Sequence, residues 1–314
     1  METSSKNRVI YFDEKQHKYT DNLRNPYTSV TTVIAKYENK FDTVEVAKAC
    51  ARIGRNPAHP KYQRYKNKSV AQIIAEWTTI KDDACENGSI KHNFLEQSVK
   101  LATGYNLTAG TTFINGRIYT IDDVIKNPGF GELTIEWFIE SGINIRYPRI
   151  FDDLVTLSKH GFRIYAEVGV YDTTYLISGL IDLFITDGVN FIIFDWKTNR
   201  ADIKFENGYF EKDDKGNLTS NFIRGSKVMK PPLDHLADAV GIHYSLQVCG
   251  YAWFAITRGL NFLGAVIYQI RDDEYDTLER VDKIIIPNMV NDSESMFKHH
   301  SEGINRKTQT LLFM

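Results

Sequence analysis

Cysteine is scarce in this chain: Cys50, Cys85 and Cys249 are the only three in 314 residues, and no two form a C-x-x-C pair. A disulfide framework, a zinc ribbon and a cysteine-ligated iron–sulfur cluster therefore lack their sequence basis, and a reducing, cytoplasmic setting is expected. Long apolar runs are missing too. None approaches the roughly 18 to 20 residues that a membrane span needs. Met1 to Arg8 is polar where a secretory leader would be apolar, so neither membrane insertion nor export is expected. There is no G-x-x-x-x-G-K-[ST] loop of a P-loop motor, no internal repeat and no low-complexity tract. Nor is there an excess of one charge: 38 Lys and Arg stand against 40 Asp and Glu, a formal net charge of -2. With no global basic field to attract a polyanion, any nucleic-acid contact has to be a local patch.

What is present is ordinary for a folded chain: 42% hydrophobic, 12% aromatic and 25% charged residues, enough length and apolar content for a sizeable core. Residues 1–43 open with a hairpin pattern, Val9 to Phe12 and His17 to Tyr19, and Ser29 either caps a helix or continues a strand. Residues 44–101 read as mostly helical, interrupted at Pro57 and Pro60, where the ring removes a helix hydrogen bond. Residues 102–130, rich in Gly and Thr, read as irregular. The segment 148–270 reads as a core: a helix from Pro148 to His160, then strands over 163–171, 175–186 and 191–197. A helix over 241–258 and a strand over 261–270 complete it. Within it, residues 201–240 are charged and carry Asn207-Gly208, Lys215-Gly216 and Pro231-Pro232, the marks of an inserted loop or hairpin. Residues 271–314 form an extension with a short strand and a final helix. The expected fold class is mixed α/β, a central mixed sheet flanked by helices with a helical N-terminal extension, in one domain.

On the third core strand Asp195 and Lys197 are two apart, so the pleat sends both to one face and Trp196 to the other. The preceding strand carries Asp182, placed across the turn so that the two carboxylates can converge. Converging carboxylates repel, and a hard divalent cation with oxygen ligands, Mg²⁺ or Mn²⁺, is what makes such a pair tolerable at neutral pH. The bland alternative is a solvated edge with a surface ion pair. Against it stands the apolar run Phe191 to Phe194, which places the charges at the end of a central strand, where uncompensated charge is costly.

Gly179-x-x-Asp182, Asp195-Trp196-Lys197-Thr198 and Gln247-x-x-x-Tyr251, preceded by Gly88-x-x-x-His92 on an upstream helix, together resemble the PD-(D/E)XK nuclease superfamily, in its RecB-type and phage exonuclease-like branch. The motifs span residues 88–251, and their order and spacing carry the likeness. The resemblance implies a restriction-endonuclease-like core and a Mg²⁺- or Mn²⁺-dependent deoxyribonuclease. Asp182 and Asp195 resemble its acidic ligands, with the Trp196 carbonyl as a further one, and His92 the histidine ligand of the branch. Lys197 resembles the lysine that orients the attacking water, and Glu167 matches an acidic position that holds a second metal or orients the lysine. Gln247 and Tyr251, and Thr198 beside the lysine, are implied to line the DNA site. The family's Pro-Asp is Ile181-Asp182 here, and the cysteine cluster of some RecB-type nucleases is missing.

The branch also implies an exonuclease acting on DNA ends, in phage recombination or DNA processing and in the host cytoplasm if phage-encoded. A homo-oligomer and a single-strand-annealing or replication protein as partner are compatible with it. A DNA path is suggested by Lys48, Arg52, Arg55, Lys61, Arg64, Lys66 and Lys68, with Tyr62 and Tyr65 interleaved, and by Arg224, Lys227 and Lys230 in the insertion. Charge runs are also solvated faces, His92 with Glu96 is also an exposed polar pair, and Tyr251 is also an ordinary core aromatic. The rival functions are a catalytically silent DNA-binding module of the same fold, a structure-specific endonuclease, and a metal-dependent hydrolase of a non-nucleic substrate.

Overall fold

The computed structural model describes residues 8–13, 15–105, 116–126, 128–213, 217–272 and 279–312, and the Lys215-Gly216 turn and part of the irregular 102–130 stretch lie outside them. The chain divides into two units, residues 1–38 with 94–314 and residues 39–93.

In the larger unit β1 (Ile10–Asp13), β2 (Lys18–Asp21) and β3 (Pro26–Ser29) form an antiparallel meander. Ser29 satisfies both readings of its segment. It ends β3, and its hydroxyl caps α1 (Val30–Ile34) by accepting from the Thr32 amide at 3.1 Å. The core strands β4 (Arg163–Asp172), β5 (Ile177–Thr186) and β6 (Asn190–Lys197) follow in antiparallel order. The helix α9 (Val240–Ile256) then crosses over to β9 (Asn261–Arg271), which lies parallel to β6 as a helical crossover requires. The strand β10 (Arg280–Ile285) closes that edge. Strand order is β1-β2-β3-β5-β6-β9-β10 with β4 beside β5, an eight-stranded mixed sheet. Within the charged insertion β7 (Gly208–Lys212) and β8 (Leu218–Arg224) form a separate two-stranded sheet, while Ile203, Met229, Leu233 and Ala239 on either side of it are buried in the main core.

Each face of the large sheet is covered. On one, Phe184, Phe191 and Ile193 pack with α9 and α10 (Val290–Leu312); α9 is apolar all round because it lies between the sheet and α10. On the other, Leu183, Ile185 and Phe194 pack against Leu95 and Val99, near the C-terminal end of α4 (Val70–Ala102), and against Phe138, Ile150 and Leu154. Those last three come from α6 (Ile135–Glu140) and α8 (Pro148–Lys159), with α7 (Ile143–Arg146) between them. The 102–130 stretch is less irregular than expected, since α5 (Ile121–Lys126) lies in it. Its start is a reciprocal cap: Thr120 donates to Asp123 by its amide at 2.9 Å and its hydroxyl at 2.8 Å, and the Asp123 amide returns to the hydroxyl at 3.4 Å. Helices this short leave little periodic pattern in the sequence.

In the smaller unit α2 (Thr43–Ile53), α3 (Tyr62–Tyr65) and the first part of α4 enclose a core of Ala47, Ala51, Tyr65 and Ile73. Gly54 ends α2 so close to the Tyr65 backbone carbonyl that no side chain fits there. Among the described residues no helix is long and apolar enough to cross a membrane.

Candidate metal centre

Strands β4 and β5 pair in register at Ala166↔Leu183 and again at Val168↔Ile181, and between these the opposed residues are Glu167 and Asp182. Glu167 has a φ of 55°, left-handed for a residue with a side chain. There both strands reverse their alternation. Ile164 and Ala166 belong to the α8 side and Val168 and Val170 to the α9 side; Leu183 and Ile185 belong to the former and Ile181 and Ile177 to the latter. A period of two carried straight through would have put each set on one face. The irregularity re-aims the two acidic residues, and like charges opposed on neighbouring strands are unfavourable unless something compensates them.

Asp182 also marks a fork. β5 pairs with β6 from Leu183↔Phe194 to Thr186↔Phe191, and with β3 only at Ile177 and Ser178, so residues 179–182 have no strand partner on that edge. The Asp182 carboxylate takes over the missing ladder by accepting from the Trp196 amide at 2.9 Å. Because the N–H and C=O of one strand residue leave by the same edge, the Trp196 carbonyl faces this fork as well.

A ligand atom from each of His92, Glu167 and Asp182 lies within 4.8 Å of the others. His92 stands on α4 just before the part of that continuous helix that packs beneath the sheet. Two carboxylate oxygens and an imidazole nitrogen suit a divalent cation, the mixed donor set favouring Mn²⁺ at least as much as Mg²⁺. Asp195 lies at the same end of β6. Its buried carboxylate holds the Lys197 ammonium at 2.5 Å, and Glu167 stands with His92 and Asp182 in the cluster of three.

Asp195 and Lys197 project on the α9 side, with Phe191 and Ile193. Burial works against the Lys197 charge, but the Asp195 and Asp182 carboxylates outweigh it and hold the ammonium above the usual lysine range. Tyr251 is buried, receives a 3.1 Å hydrogen bond from Gln247, and is raised well above an ordinary tyrosine by burial and by the charges of Tyr19, Asp195 and Asp182. Gly179 is what admits its ring, since a Cβ there would run into Tyr251 Cε1. Thr198 is half-buried directly after β6.

Arg224 is exposed and paired with Glu206 at 2.7 Å, and Lys227 is exposed in the insertion. Lys230 is tied to the carbonyls of Lys36 at 3.2 Å and Glu38 at 2.5 Å, a structural role. In the smaller unit Lys48 pairs with Glu45 at 2.6 Å and Lys68 with Glu76 at 2.8 Å. Arg52, Arg55, Lys61, Arg64 and Lys66 are exposed. Lys66 lies over Tyr62 and Arg64 over Tyr65, with ring distances of 5.6 Å each.

Sequence reasoning missed Tyr244, Asn199 and Gln269. The Lys197 ammonium lies 4.7 Å from the Tyr244 ring centre. The signal was available for Tyr244, which precedes Gln247 by three and Tyr251 by seven and so shares their helical face.

Comparison with protein-family models and with curated proteins gives no match. Fold and site define a mixed α/β protein with a potential metal-binding triad of His92, Glu167 and Asp182, compatible with a hydrolytic enzyme.

Proposed function

We propose that the protein is a divalent-cation-dependent DNA nuclease of the PD-(D/E)XK kind, with a restriction-endonuclease-like core, acting as an exonuclease on DNA ends. One observation carries this reading: His92, Glu167 and Asp182 converge within 4.8 Å at the fork beside the Asp195–Lys197 ion pair. The order helix, three antiparallel strands, helix, parallel strand is consistent with it.

In this reading His92, Glu167 and Asp182 hold the cation, with the Asp195 carboxylate and the Trp196 carbonyl beside them. A bound Mg²⁺ or Mn²⁺ ion supplies Lewis acidity toward a phosphodiester and lowers the pKa of water. Lys197 keeps its proton, orients the attacking water and neutralises charge developing on the phosphate. Gln247, Tyr251 and Thr198 line the approach of the DNA. Cleavage leaves a 5′-phosphate. Arg52, Arg55, Lys61, Arg64 and Lys66, exposed and without an ion-pair partner among the described residues, suit a phosphate backbone.

The test is digestion of end-labelled linear DNA against covalently closed circles with Mg²⁺, Mn²⁺ or EDTA. Cation-dependent loss of the linear species alone is expected, and Asp182→Asn and Lys197→Ala should each lower the rate by about 100-fold or more. DNA binding without cutting would leave the silent module as the answer. Turnover of generic phosphodiesters but not DNA would leave the non-nucleic hydrolase. Replacing Arg52, Arg55, Lys61 and Arg64 by Ala should reduce the slope of log affinity against log salt by about 3 to 4.

A further inference from the structure

Lys197 ends β6 on a flexible four-carbon stem, and an ion pair to one carboxylate fixes how far its ammonium reaches better than which way it points. Asp195, the partner at 2.5 Å, stands among the carboxylates of the fork and is itself a candidate for engagement by a cation. The ammonium has a second neighbour that no cation competes for, the face of Tyr244 at 4.7 Å.

That ring is braced from the centre of the sheet. Its hydroxyl donates to Asn199 Oδ1 at 2.8 Å. The backbone carbonyls of Asn199 and Ala201 each accept from Gln269 Nε2 at 2.7 Å. Gln269 is buried on β9, in register with Lys197 across the β6–β9 pair. One path of hydrogen bonds thus runs from the strand beside the lysine, through the segment that follows it, to the ring over its ammonium. A buried glutamine whose side chain donates twice to the backbone of that segment has the geometry of a brace for the segment's position.

We propose that Tyr244 is the positioning residue of Lys197, with Asn199 and Gln269 as its supports. The ring gives the ammonium a seat independent of Asp195, so that the lysine stays aimed at the fork when Asp195 is drawn elsewhere. This rests on Lys197 having the role given to it in the nuclease reading.

Two readouts separate the proposal from that reading. The first is the proton resonance of the Lys197 ε-methylene, assigned with Lys197→Arg and measured with and without Mn²⁺-mimicking diamagnetic Mg²⁺. A ring-current shift is expected in the wild type in both states, reduced but present in Tyr244→Phe, whose ring loses the hydrogen bond to Asn199, and lost in Tyr244→Leu. The second is steady-state cleavage of linear DNA. Tyr244→Leu should lower kcat about tenfold with KM and Mn²⁺ affinity little changed, and Tyr244→Phe should recover most of that loss. An unshifted resonance in the wild type, a shift that survives in Tyr244→Leu, or Phe as impaired as Leu would each overturn the proposal. If the wild type cuts no DNA, the nuclease reading falls while the resonance still decides whether the ring holds the ammonium. Should Tyr244→Leu fail to fold, Asn199→Ala releases the hydroxyl and should weaken the same shift.

Discussion

At Glu167 two costs coincide, a left-handed backbone and a carboxylate opposite that of Asp182. A side-chain-bearing residue in that conformation costs on the order of 1 to 2 kcal/mol, and opposed like charges add to it. Glu167→Gln keeps the shape and removes the repulsion. Its thermal midpoint without divalent ions should therefore rise slightly, while the rise produced in the wild type by added Mn²⁺ should vanish. A scan with and without Mn²⁺ checks both halves, and an undiminished Mn²⁺ effect would sink the assignment. At Gly179 the added methyl of Gly179→Ala meets the Tyr251 ring. Such overpacking costs about 1 to 3 kcal/mol, read as a lower urea midpoint at constant slope. Lys197 and a cation draw on the same carboxylates, so Lys197→Met should bind Mn²⁺ about tenfold more tightly by calorimetry.

At the scale of elements, the site exists because β5 and β6 part company. Paired to their ends, the two strands would have left the Trp196 amide to a backbone carbonyl and aimed Asp182 at a face of the sheet. Parted, they leave a gap that a carboxylate bridges. The β7–β8 hairpin, in the insertion between β6 and α9, pairs with no strand of the large sheet among the described residues. Its two strands form their own sheet, β7 is exposed throughout, and its roots meet where the Gly225 amide donates to the Asn207 carbonyl at 2.8 Å. Replacing 208–224 by a short Gly-Ser turn should leave the thermal midpoint and Mn²⁺ affinity near wild type. A collapse of either would show that the hairpin supports the core. The strand and helix order of 148–270 was legible from alternation and apolar runs, whereas α6 and α7 were not, being single turns of mixed composition set off by Gly142 at a φ of 82°.

For the whole molecule, acid stability should carry the mark of His300. It is buried on α10, with Lys36 and His299 as charged neighbours, and burial first and those charges next depress it from 6.5 to about 4. The unfolded chain then binds this proton more readily than the folded one. The contribution is full above pH 6.5 and is lost as pH falls from there through about 4, at most about 3 kcal/mol for this group. Urea titrations between pH 7 and 4 should show His300→Gln losing less stability than the wild type over that range. Parallel losses would place the titrating group elsewhere.

Local sequence was enough for the elements of the core and for the D-x-K pair, because a period of two, an apolar run and a D-x-K pair are patterns written in adjacent residues. It also fixed that Asp195 and Lys197 share a face. Which carboxylate joins Asp182 was decided only in three dimensions. Glu167 enters the cluster through a strand irregularity that no local pattern announces, and His92 through the course of a long helix. Asp195 turns to Lys197, and Tyr244 meets that lysine from an element far along the chain. Distances between side chains on different strands and helices depend on register, twist and packing angle, and these are properties of the assembled sheet.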